Sequence, residues 1–132
     1  MKERIFEKYK DYKNALCRLI EALNLQDIND VIIDGIIQRF EFTFELSWKL
    51  MKEYLKHEGI EVNSPRSTIR EAFSIGLIEN GDKWISMLTD RNKTSHIYDE
   101  DESREIYLSI KNIYADEFKT LLNKFDEIVK GL

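Results

Sequence analysis

Ile32-Ile33-Asp34-Gly35-Ile36-Ile37-Gln38-Arg39-Phe40-Glu41-Phe42-Thr43-Phe44-Glu45-Leu46-Ser47-Trp48-Lys49-Leu50-Met51 is the stretch that decides the fold. Ile33, Ile37, Phe40, Phe44, Trp48, Met51 and, just beyond, Leu55 recur at steps of three and four, which places them on one face of a helix. Ile32, Ile36, Leu46 and Leu50 widen that face, as expected of a helix packed on several neighbours. Gly35 implies either a close helix crossing or a helix that begins after it, and Gly59 is the expected stop.

The same period extends outward on both sides. Ile5, Tyr9, Tyr12, Leu16, Leu19 and Leu23 form the stripe of a first helix, and Asp27 is the expected N-cap of the second. Ser64-Pro65 opens a short third helix with Ile69, Ala72 and Phe73 as its inward face and Gly76 as its end. A fourth is expected from about Asp82 through Trp84, Met87 and Leu88 into Arg91, ending near Tyr98. Asp99-Glu100-Asp101-Glu102 places negative charge where the dipole of a fifth helix favours it. That helix carries Ile106, Tyr107, Ile110, Ile113, Tyr114, Phe118, Leu121, Phe125 and Ile128. One proline in 132 residues leaves few breaks. The expected architecture is all-α, an antiparallel up-and-down bundle of about five helices, with residues 1–132 forming a single domain.

Composition narrows the function. No apolar run reaches the roughly 18 residues of a membrane span, and the mixed charge of Met1 to Lys8 does not read as a signal peptide. Cys17 is the single cysteine, so neither an intrachain disulfide nor a thiolate metal cluster is expected, and the cytoplasm is the expected compartment. The net charge of −5 argues against a general nucleic-acid coat, which needs a basic surface. Between Ser64 and Tyr98, Arg66, Arg70, Lys83, Arg91 and Lys93 outnumber Glu71, Glu79, Asp82 and Asp90, and an anion-binding surface is expected there.

The most reactive run is Arg91-Asn92-Lys93-Thr94-Ser95-His96-Ile97-Tyr98. Arginine grips a phosphate through two parallel hydrogen bonds, histidine moves a proton near neutral pH, and a tyrosine hydroxyl accepts a transferred group. At about 100° per residue Arg91 and Tyr98 fall about 20° apart on the side of Trp84 and Leu88, and His96 falls roughly 140° from Arg91. One straight helix therefore cannot aim all three at one atom: the helix breaks near Ser95 or a second protomer completes the site. The structural alternative pairs Arg91 with Glu41 or Glu45 and leaves Tyr98 at the core edge and His96 at a helix C-terminus. Glu45 with Lys49 reads as a helix ion pair, and the second Glu-x-x-His element of a di-metal bundle is missing, so no metal is expected. No Walker loop or dinucleotide fingerprint is present, and no cofactor is expected.

Arg91-x4-His96-x-Tyr98 resembles the R-x4-H-x-Y motif of HEPN-type proteins. Together with Arg39-Phe40-Glu41, Glu45-Leu46-x-Trp48-Lys49, Ser64-Pro65-Arg66 and Ser95-His96-x-Tyr98-Asp99-Glu100, the chain from about residue 5 to 128 is similar to the nucleotidyltransferase substrate-binding branch of that group. The resemblance implies a self-pairing helical bundle working with a minimal nucleotidyltransferase encoded nearby. It implies a nucleotide or phosphate-bearing ligand held by Arg91, Asn92, Ser95, His96, Tyr98 and Arg66. In the related toxin branch it implies a metal-independent ribonuclease, with Arg91 holding the scissile phosphate, His96 as acid or base, and AMP transfer to Tyr98 as the silencing step. A structural helical dimer without chemistry is the third reading.

Overall fold

In the computed structural model, residues 2–96 and 99–132 are described. Helix α1 spans Lys2–Leu23, α2 Asp30–His57, α3 Pro65–Ser74 and α4 Gly81–Lys93. The last long helix is α5, Glu100–Ser109, continued through a π-helical turn at Ile110–Tyr114 into α6, Ala115–Lys130. The expected all-α bundle is the fold, and among the described residues there is no strand.

The central helix is α2, packed on α1, α3, α4 and α5. All seven residues of its sequence stripe are buried, and so are Ile36 and Leu50. Around Phe40 the core is aromatic. Tyr114 stacks on Phe40 at 5.6 Å between ring centroids, and Phe118 lies at 6.0 Å from Phe40. Trp84 meets Phe118 edge-on at 5.8 Å. Tyr12 is fully buried, and its hydroxyl donates to the Phe118 carbonyl at 2.6 Å, so the buried polar atom is satisfied. These contacts tie α1, α2, α4 and α6 into one core.

Several boundaries depart from expectation. Helix α2 is capped by Asn29, not Asp27: the Asn29 side chain accepts from the Ile32 amide at 3.0 Å. Starting at Asp30 leaves that carboxylate free for Arg104 of α5, 3.0 Å away. Gly35 lies inside α2, and a Cβ added there would meet nothing within 4 Å, so it marks neither a crossing nor a start. Gly59 and Gly76 do end helices, with φ of +83° and +78°, where a side chain is strained. Ser64 and Ser67 form a capping box at the start of α3. Phe73, expected inward, is 54% exposed. Ile113, also expected inward, is 40% exposed because of the π turn. There the Ala115 amide reaches back to the Ile110 carbonyl, i→i+5, so Tyr114 instead of Ile113 returns to the buried face.

Candidate functional site around the end of helix α4

Trp84, Met87 and Leu88 bury one face of α4, and its regular hydrogen bonding stops at Lys93. Thr94–His96 then tighten into a 3-10 turn. The Thr94 hydroxyl donates to the Arg91 carbonyl at 2.7 Å, satisfying one of the orphan acceptors of a helix end. The break near Ser95 is thus real, and the α-helical angles relating Arg91 to His96 do not apply across it. Ile97 and Tyr98, the latter expected beside Arg91, lie outside the described residues.

Arg91 is half-buried and turns toward α2, where its Nη1 stands 3.7 Å from Glu41 Oε2. That is the ion pair the sequence offered as the structural alternative. It is a loose one, and the Arg91 Nε is buried with no hydrogen-bond partner among the described residues. Glu45 pairs with Lys49 at 3.7 Å, also as expected. Asn92, Ser95 and His96 are exposed.

His96 lines a cavity of about 430 Å³ between the end of α4 and the first turns of α5. The other walls are Asp90, Lys93, Glu102, Glu105, Ile106 and Ser109; Arg91 is not among them. Two of the expected site residues, Arg91 and His96, therefore serve different surfaces: Arg91 faces α2 and His96 faces α5. Arg66 is further away. It lines a separate cavity with Asp82 and Lys83 at the opposite end of α4, and Lys83 to Arg91 is about 12 Å along the helix axis.

Asp90, Glu102 and Glu105 outnumber Lys93 around His96, so the cavity of one chain has a negative balance. Asp90 is fixed by a residue the sequence did not single out. The Tyr114 hydroxyl donates to Asp90 Oδ2 at 2.5 Å. Burial first, and the hydrogen bond and charge of Asp90 next, push the Tyr114 phenol well above its usual range, so it stays a donor. This contact joins positions 24 apart in sequence. The π turn that sets the register of Tyr114 leaves no mark on apolar periodicity strong enough to reveal it. Among the described residues no group of three His, Cys, Asp or Glu side chains converges as a metal site. No helix among the described residues is long and apolar enough to cross a membrane.

Comparison with known proteins identifies the fold and the family. A solved Thermus thermophilus protein superimposes with a TM-score of 0.80 at 36% identity, covering 86% of this chain and 97% of its own. A Haemophilus influenzae structure, described as revealing the fold of a substrate binding domain of a nucleotidyltransferase, gives a TM-score of 0.68 at 27% identity. That match covers 96% of this chain and 99% of the other. A Haemophilus influenzae protein named probable ribonuclease HepT is 38% identical over 94 residues, which are 67% of this chain and 64% of that protein's length. Residues 7–127 match the family described as nucleotidyltransferase substrate binding protein like. From α1 to near the end of α6, by sequence and by fold, the chain belongs to the nucleotidyltransferase substrate binding protein family.

Proposed function

We propose that this chain is the substrate-binding partner of a minimal nucleotidyltransferase encoded nearby, acting in the cytoplasm in complex with it. It holds a phosphate-bearing ligand around Arg91, His96 and Tyr98. The observation that carries this reading is the family match across residues 7–127, which takes in the whole Arg91-x4-His96-x-Tyr98 motif. Arg91 fits the role, since among the described residues one loose carboxylate contact holds its guanidinium. The negative balance around His96 means that a phosphate there needs cations from a second chain. A homodimer or larger even assembly is part of the proposal, supported by exposed Val31, Phe42 and Leu108.

Co-expression with the neighbouring nucleotidyltransferase, followed by incubation with ATP and intact mass measurement, tests the reading. The two chains copurify, and wild type gains the mass of one or more AMP groups. The Tyr98 hydroxyl oxygen forms the new bond to the α-phosphorus of ATP, and pyrophosphate leaves. Tyr98→Phe gains none. Failure to copurify, together with no mass change beside an active partner, overturns the proposal.

The relative named probable ribonuclease favours a second reading. Here Arg91 holds the scissile phosphate and His96 takes the proton from the ribose 2′-hydroxyl, whose oxygen attacks the adjacent phosphorus while the bond to the 5′-oxygen of the next nucleotide breaks and that oxygen takes up a proton. RNA cleavage that survives chelator, leaves cyclic phosphate ends and falls about 10²–10⁴-fold in His96→Ala supports it. Intact RNA in the presence of purified dimer counts against it.

A further inference from the structure

At the N-terminal end of α4 a cavity of about 530 Å³ opens between α3 and α4. Arg66, Arg70 and Lys83 line it, all three exposed, and none forms an ion pair among the described residues. Glu79 and Asp82 stand on the same walls, so the balance is positive. This is the reverse of the His96 cavity. Phe73 also lines it, on a face where burial would be the ordinary fate of a phenylalanine. The ring lies against the start of α4: a Cβ added at Gly81 would stand 3.1 Å from Phe73 Cδ1, so a larger residue there would have to push the ring aside by a few tenths of an ångström. Ile69 and Ile85 complete an apolar floor. Asn80 makes no side-chain cap, and its Nδ2 donates to Glu117 Oε2 at 3.1 Å. The first-turn amides keep their positive end toward the cavity.

A flat exposed ring beside three uncommitted cations is complementary to a molecule with an aromatic face and a negative tail. The volume lies within the range of small-molecule sites, roughly 300–1,000 Å³. We propose that the α3–α4 cavity is a binding site for a nucleoside phosphate, with the base stacked on Phe73 and the phosphate held by Arg66, Arg70 and Lys83. Because it lies at the opposite end of α4 from Arg91 and His96, it stands independently of the reading above.

AMP is the probe, with adenosine and inorganic phosphate as partial ligands, titrated into the full chain by calorimetry and by amide NMR. The expected result is saturable AMP binding that is tighter than either fragment and weakens with salt. Amide shifts should concentrate at Arg70, Phe73 and Gly81 to Lys83. Arg70→Glu and Lys83→Glu each weaken AMP by about tenfold or more, the worth of a charge-assisted contact. Phe73→Leu costs roughly tenfold for AMP and leaves inorganic phosphate unchanged, as loss of stacking requires. All three side chains are exposed, and circular dichroism verifies that the variants fold. Shifts concentrated at Lys93 to His96 and Glu102 to Ser109 overturn the proposal while leaving the nucleotidyltransferase reading standing. AMP affinity unchanged in Arg70→Glu overturns it, as does inorganic phosphate binding as tightly as AMP.

Discussion

The two ends of helix α4, about 18 Å apart, meet opposite environments. Its N-terminus opens on Arg66, Arg70, Lys83 and an exposed aromatic ring. Its C-terminus opens on His96 among Asp90, Glu102 and Glu105. The helix dipole reinforces both, positive at the first and negative at the second. The Arg91-x4-His96 motif therefore sits at the end of the helix that is worse for a phosphate, and the better end is lined by no histidine. Residue type and electrostatic setting are separate requirements, and within one chain they are met in different places.

The contrast depends on α4 being a fixed rod, and Trp84 fixes it. Trp84 is 1% exposed and packs on Phe44 and Phe118. Trp84→Ala should cost about 3–5 kcal/mol in urea denaturation, as for other buried aromatics. A loss under about 1 kcal/mol would show that the two ends are not held by a common core contact.

Reversing the poorer end is the next largest expected effect. Removing two carboxylates in Glu102→Gln with Glu105→Gln should strengthen pyrophosphate binding at the His96 cavity on the order of tenfold at low salt, seen as chemical shifts at Lys93 and His96. Unchanged affinity would mean that those carboxylates do not set the local potential.

Tyr114→Phe should cost about 1–2 kcal/mol, a hydrogen bond to a charged acceptor that water partly replaces. It should also alter the alkaline limb. An unfolded tyrosine ionises near pH 10, whereas the folded Tyr114 phenol is held well above that. The contribution of the neutral hydroxyl is therefore complete below about pH 10 and declines as pH rises toward the folded value. Wild type should lose stability above pH 10 more steeply than Tyr114→Phe, measured by thermal melts across pH 8 to 11. Equal slopes would detach Asp90 from Tyr114.

The smallest effect is expected at Glu41→Gln. The Arg91–Glu41 pair is long and about a third exposed, so stability should change by less than about 1 kcal/mol. Phosphate binding that responds to this change, with stability hardly altered, would identify Glu41 as a competitor for Arg91.

Much of the fold was legible because burial and period coincide in α1 and α2. Every α2 stripe residue from Ile33 to Leu55 is buried. Legibility failed where a local choice had several equivalent solutions or a distant one decided it. Asp27, Asn29 and Asp30 are all competent caps, and the partner that uses Asp30 is Arg104, 74 positions away. Phe73 was read inward from spacing alone, but it is 54% exposed and its ring lies over the start of α4, a contact with Gly81 that spacing within α3 does not reveal. At the site, the helix break was one of two arrangements the angles allowed, and Glu41 one of two carboxylates within reach of Arg91. The acid wall of the His96 cavity was not legible, because Glu102 and Glu105 come from another helix whose phase depends on tertiary packing.

The π turn at Ile110–Tyr114 makes the length of the last helix significant to a single residue. It is equivalent to one residue inserted into an α-helical run. Deleting one residue there would restore regular winding and rotate everything on one side of it by about 100° relative to the other. With Tyr9 bonded to Asp126 and Phe125 in the core holding the α6 side, a turn of the α5 side would also pull the buried Ile106 and Tyr107 from the core and break the Arg104–Asp30 pair. Glu102, Glu105 and Ser109 would swing off the His96 cavity and Tyr114 off Asp90. A one-residue change of length in this segment would thus present a different surface around His96, even with every other residue unchanged.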